Sequence, residues 1–414
     1  MIEKSHTLWA TQITSKESRY LLTMAKKRIG ILTGGGDVPP LNAVLASARQ
    51  VSLEHDIEII GFLQGWLGLV ENQYINLTNV NVNPLIGGTI LKSSRVKLEN
   101  ISGGPGQAIS NIERLRLDAL IVIGGEDTLS NAFSLPDIPQ VLISKTIDND
   151  VGLIRSGNQK DDPEEIINFF TLGFPTAAKK ISSFVSLKEG LRTTAYSHER
   201  IMVVESMGMH AGWLALSSCM GHPDFIIIPE FPLNYDEILD RVLRKYEEQK
   251  NVIMVVAEGA RFDNGLYISA DEKERDDFGH PRFKGSAETL STRLKEDLKG
   301  HFDARNINAV NPSYLYRSGT PSELDLEWAM NLGKEAVKLL ANGLEKSVFL
   351  TLAKESKGLS IAEYPLSNMK GIEEFHRFVD ERFYDPEHYS VTEMGKKYLL
   401  EVVDEINEDH YGLP

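Results

Sequence analysis

Short aliphatic runs recur from about residue 26 to residue 353, and segments of helical periodicity separate them. The runs "KRIGILTG", "IEIIGF", "DALIVIGG" and "QVLISKTI" occupy the first part, and "RIMVVES", "DFIIIPE", "NVIMVVAEG" and "SVFLTLA" the second. Between them, "NYDEILDRVLRKYEEQK" and "SELDLEWAMNLGKEAVKLL" repeat apolar residues three and four apart. Unbroken Val/Ile/Leu strands joined by helices indicate parallel sheet covered on both faces. There are too many strand–helix units for one small sheet, so the pattern predicts an α/β protein of two domains. The polar stretch "DNDVGLIRSGNQKDDPEEI" reads as a boundary or surface loop. Residues 1–25 read as an extension, with Met24 as a second plausible start. The polar residues from about 366 to 414 read as a C-terminal helical cap.

Composition changes this picture little. The 414 residues are 42% hydrophobic and 25% charged, as expected of a globular chain. Net charge is −15, which argues against nucleic acid or an anionic membrane as partner, so an anionic substrate would need locally clustered Lys and Arg. The single cysteine, Cys219, excludes an internal disulfide and fits a reducing cytoplasm. No apolar run reaches membrane-spanning length, and no zinc-ligand spacing occurs.

In open α/β sheets, ligands bind beyond the carboxyl ends of strands, and three turns there carry chemistry. "ILTGGGDVPPLNAV" runs from a strand through Gly34, Gly35 and Gly36 to Asp37 and a helix starting near Leu41, with Asn42 placed to fix the turn. "IVIGGEDTL" passes through Gly125 into a helix expected to be capped by Thr128, the geometry that cradles phosphate oxygens with backbone N–H groups. Two carboxylates there, Glu126 and Asp127, fit a divalent cation held between protein and phosphate, with Glu126 as the Mg²⁺ contact. "LISKTIDND" ends in Asp148 and Asp150, which an extended backbone would turn to one side. One could accept a proton from a substrate hydroxyl, and Lys145 supplies a positive charge for a phosphoryl group. Each turn alone also reads as an ordinary loop; metal, base and cation at three strand ends favour phosphoryl transfer. His198 and His210, flanking "RIMVVES", read as structural, and Trp213 as core.

With these turns, "GGTILKSSR", "SHERIMVVESMGMHAGW", "IIIPE" and "YLYRSGTPSELD" in order, the chain resembles the phosphofructokinases over residues 26 to about 353. The resemblance implies two similar Rossmann-like α/β domains with parallel-rich sheets and the active site in the cleft between them. One would bind the phosphoryl donor (26–160 plus about 318–365), the other the sugar phosphate (161–317). It implies donor contacts at Gly35, Gly36, Arg95, Gly125 and Thr128, a sugar contact at Thr146, Asp148 as base for the 1-hydroxyl, and Asp150 assisting. Met207, Gly208, Met209 and Glu230 would shape the sugar pocket. Tyr314 and Arg317 would hold the 6-phosphate, with Arg200 reaching in from a neighbouring subunit of a homodimer or homotetramer.

The family divides by donor. Members using ATP commonly have Gly at the positions of Asp127 and Lys145, whereas Asp and Lys resemble the pyrophosphate-dependent branch. A carboxylate at Asp127 occupies the volume and charge that the α-phosphate of ATP would need. Pyrophosphate stops short of it, and Lys145 can neutralise the departing phosphate. The reading is therefore a reversible, Mg²⁺-dependent transfer from pyrophosphate to fructose 6-phosphate. An ATP-dependent phosphofructokinase is the nearest rival. Glu126 replaces a commoner Asp, Pro40 a common Gly, and Met209 and Asn308 stand where Arg is usual. The last two leave room for another sugar phosphate or a polyol as acceptor. A non-catalytic regulatory subunit is a further alternative, against which the retained cluster of Lys145, Asp148, Asp150 and Glu230 argues.

Overall fold

The computed structural model describes residues 26–155, 165–275, 281–283, 285–301 and 303–406. The expected extension 1–25, the middle of the polar boundary stretch and the last eight residues lie outside them.

Two parallel-rich sheets organise the chain. The larger, eight-stranded sheet has the order Gly358–Pro365, Val348–Glu355, Gln140–Thr146, Ala119–Gly124, Arg28–Thr33, Glu58–Phe62 and Tyr74–Asn76, with Leu172–Gly173 pairing Gln140–Thr146. Its five central strands are parallel, and the edge strands Gly358–Pro365 and Tyr74–Asn76 run antiparallel to their neighbours. The smaller sheet holds Phe225–Ile227, Val252–Ala257, Ile201–Ser206 and Ile307–Val310, all parallel. Every residue of Ala119–Gly124, Ile201–Ser206 and Val252–Ala257 is buried, as expected of strands with helices on both faces.

All eight aliphatic runs form strands. The short strands Tyr74–Asn76 and Ile307–Val310 have too few aliphatic residues to stand out. The two helical segments form as Tyr235–Gln249, capped by Asn234, and Glu323–Ala341, capped by Ser322. The latter helix also ties the two parts of the chain together. The fully buried carboxylate of Asp325 accepts from the N–H groups of Gly173 (2.8 Å) and Thr176 (3.1 Å) at the start of Phe174–Val185.

The C-terminal segment differs from a helical cap. Among its described residues only Glu393–Leu400 is α-helical; the other described residues form loop, single 3₁₀ turns and a ladder of two-residue strands. Several of its aromatic residues enter the core, where Phe383 and Tyr398 pack edge-on against Trp213. These anchors are scattered along the segment, so it lies across the molecule as an extended strap.

Candidate active site

The strands Arg28–Thr33, Ala119–Gly124 and Gln140–Thr146 are adjacent, so their carboxyl ends bring all three turns together. They open on a cavity of about 630 Å³. Of the residues assigned from sequence, Gly35, Gly36, Arg95, Gly125, Glu126 and Asp127 line it. So do Thr128, Lys145, Thr146, Asp148, Asp150 and Arg317. Arg200, Met207, Gly208, Met209, Glu230 and Tyr314 do not. Arg200 donates to Thr194 Oγ1 (2.7 Å) at the amino end of its strand, and Tyr314 is 73% exposed. Glu230 holds backbone, accepting from the N–H groups of Gly212 (2.9 Å) and Val379 (2.9 Å), and burial pushes its carboxyl above the usual range.

The glycine turn has a steric cause. Gly35 has φ 81°, and a Cβ there would lie 2.9 Å from Lys145 Nζ; one on Gly36 would lie 2.5 Å from the Arg317 guanidinium. Both cations are thus packed against this backbone, and Lys145 Nζ donates to the Gly36 carbonyl. Asn42 fixes a neighbouring loop instead, bonding Ile86 O and Ile90 N (both 2.9 Å).

Two local expectations are corrected. Thr128 does not cap a helix: it lies inside the five-residue helix Glu126–Ser130, whose N-cap is Gly125, and its side chain packs against Gly34 and Gly124. A helix this short leaves anion binding to the surrounding side chains and turn. Asp148 and Asp150 are not joined by extended backbone, because Asn149 between them is left-handed with φ 55°. Both still face the cavity, and Oδ1 of each is buried with no hydrogen-bond partner.

Electrostatics distinguish the charged groups. Burial, reinforced by the neighbouring Asp150, raises the Asp148 carboxyl to about 7. Burial, with repulsion from Arg317, lowers the Lys145 ammonium to about 7. An anion entering here restores the charge on Lys145, while a hydroxyl can surrender its proton to Asp148. Asp127 is largely exposed and forms an ion pair with Lys97 (Oδ1 to Nζ, 2.8 Å).

The sequence reading missed the strap. His376 and Phe378 line the cavity and stack on each other, with ring centroids 4.4 Å apart. His376 Nδ1 lies 3.0 Å from Glu126 Oε2 and fixes that carboxylate. His210, read as structural, also lines the cavity. "HRFV" follows no aliphatic strand, so nothing local marked it. Among the described residues no group of three or more His, Cys, Asp or Glu is arranged to hold a metal by itself. Mg²⁺ held jointly with phosphate needs only one or two carboxylates, and Glu126 suits that mode.

The phosphofructokinase family model matches residues 28–340, and the chain belongs to the phosphofructokinase family. It is 38% identical over 323 residues to "ATP-dependent 6-phosphofructokinase 3" of Streptomyces coelicolor, covering 76% of this chain and 88% of that one. It is 37% identical over 326 residues to "Pyrophosphate--fructose 6-phosphate 1-phosphotransferase" of Dictyoglomus thermophilum, covering 77% and 88%. In fold it is similar to the pyrophosphate-dependent phosphofructokinase of Nitrosospira multiformis, with TM-score 0.76 at 20% identity over 94% of this chain and 95% of that one. The enzyme is a phosphotransferase. Relatives of nearly equal identity carry both donor names.

Proposed function

We propose that the protein transfers a phosphoryl group reversibly from pyrophosphate to the 1-hydroxyl of fructose 6-phosphate, giving fructose 1,6-bisphosphate and phosphate. The observation that carries this reading is Lys145, a buried cation seated on the glycine turn in the same cavity as Asp148. Asp148 takes the hydroxyl proton, the sugar oxygen bonds to phosphorus, and the bond to the bridging oxygen breaks. The phosphate that leaves carries the bridging electrons, and Lys145 stabilises its charge. Arg95 and Arg317 add positive charge within the cavity. Mg²⁺, when bound with pyrophosphate, would be held by Glu126 and would neutralise phosphoryl oxygens. The donor side comprises residues 26–160 with about 318–365, and the sugar side 161–317. Arg200, bonded outside the cavity, suits a role toward a second subunit in a homo-oligomer.

One observation favours ATP as a second reading. The Asp127–Lys97 ion pair offsets part of the repulsion that would turn away an α-phosphate. Steady-state rates with pyrophosphate and with ATP, at saturating fructose 6-phosphate and Mg²⁺, decide between the two.

A further inference from the structure

The Asp148–Asn149–Asp150 turn is gripped from behind by the C-terminal strap. Arg377 is 2% exposed, an unusual place for a guanidinium. It donates to Asn149 O (3.0 Å), Asn149 Oδ1, Asn168 O (2.8 Å) and Phe169 O (3.2 Å), all neutral oxygens at or beside the turn. Its own N–H donates to Asp150 O (2.7 Å), and its carbonyl accepts from Trp213 Nε1 (3.1 Å). Asn149 is fully buried and left-handed, and its amide is used at both ends. Oδ1 also accepts from Thr171 N–H (3.1 Å), and Nδ2 donates to Tyr398 Oη (2.7 Å). The Tyr398 hydroxyl donates in turn to Phe169 O (2.7 Å).

The other side of the turn is bare, since Oδ1 of Asp148 and of Asp150 has no hydrogen-bond partner. The aim of these carboxylates is therefore set by the turn backbone, and that backbone by the grip on Asn149. A buried guanidinium placed on carbonyls, with no carboxylate bonded to it, is poorly explained as a simple stability device. We infer that Arg377 is a positioning residue for the base, acting through Asn149, with Tyr398 as its second support. Arg377 and Tyr398 lie beyond residues 28–340, the part of the chain that the family model matches. The inference rests on Asp148 being the base.

The test compares kcat, KM and thermal midpoint in the full-length enzyme for Arg377→Lys, Asn149→Ala, Asn149→Gly, Tyr398→Phe and Asp148→Asn. Lysine keeps the charge but not the planar fork. Arg377→Lys and Asn149→Ala should lower kcat by about 10- to 100-fold, well below their melting temperatures, with both KM values within about threefold of wild type. Asn149→Gly, which tolerates the left-handed backbone, should retain more kcat than Asn149→Ala. Tyr398→Phe should fall between Asn149→Gly and wild type, and keeps the test open should Arg377→Lys not fold. Wild-type kcat in Asn149→Ala and Tyr398→Phe, with only the melting point lowered, overturns the inference while Asp148→Asn is inactive. Full turnover in Asp148→Asn overturns the base assignment itself.

Discussion

Lys145 Nζ donates to the carbonyl of Gly36 from a side chain that is 2% exposed, so an ammonium is buried against the glycine turn without a carboxylate bonded to it. Such a group destabilises the empty enzyme and waits for an anion. Lys145→Met should therefore raise the thermal midpoint at pH 7 while lowering pyrophosphate turnover by about two orders of magnitude. The folded group titrates near 7 and the unfolded one near 10.5, so between these values the unfolded chain binds the extra proton. Wild-type stability should rise with pH through that window, and the variant should lose this rise. Calorimetry of both proteins from pH 6.5 to 10 measures it; a midpoint lowered by the substitution contradicts the arrangement.

Asp148 should give kcat/KM its acid limb. Burial and Asp150 raise its carboxyl from 3.8 to about 7, and a base must be ionised, so activity should climb as pH rises through neutrality. Arg317 pulls that value down. Arg317→Ala should therefore move the limb to higher pH, and should raise KM for fructose 6-phosphate more than that for pyrophosphate. Rate–pH profiles of wild type and variant check both. An unmoved limb separates Arg317 from the base, and equal KM changes remove it from the sugar phosphate.

Asp325 supplies a stability prediction outside the cavity. Its buried carboxylate accepts from Gly173, Thr176 and the Thr176 hydroxyl. Asp325→Ala leaves those N–H groups unpaired and should lower the thermal midpoint on the order of 5 °C. Burial raises the carboxyl from 3.8 to about 6, so the folded state holds the proton longer and the Asp325 contribution should decline as pH rises through that window. Melting curves at pH 4 and pH 7 test this, with a midpoint unchanged at both as the contrary result.

Asp127, which lines the cavity, is paired at an exposed position with Lys97. Asp127→Gly should admit ATP while retaining part of the pyrophosphate activity, because Lys145 remains. Lys97→Met leaves the Asp127 charge unpaired and should weaken ATP binding further without a comparable loss for pyrophosphate. Direct binding of both donors to the two variants is the measurement. Stronger ATP binding in Lys97→Met contradicts the role given to Asp127.

The sheets were legible because short aliphatic runs without polar alternation, separated by helices, form strands covered on both faces, and their carboxyl ends located the cavity. Asp148 and Asp150, just past a strand, and Lys145, near its end, line that cavity as the rule led one to expect. The turn itself was not legible: the left-handed Asn149 is bonded by Arg377 and Tyr398, more than two hundred residues away in sequence. The strap was missed for the same reason. His376 and Phe378 reach the site through anchors spread along an irregular segment, which leaves no periodicity to read. Thr128 suits an N-cap by residue type, whereas the helix starts two residues before it and its methyl and hydroxyl fill space beside Gly34 and Gly124.

Whether pyrophosphate is the donor is decided by kcat/KM of the wild-type enzyme for pyrophosphate and for ATP, with Mg²⁺ and saturating fructose 6-phosphate. A preference for pyrophosphate of about 10²-fold or more, lost in Lys145→Gly, is the expected result. Equal or faster turnover of ATP by the wild type would contradict it and make Asp127 a tolerated passenger in an ATP-dependent enzyme.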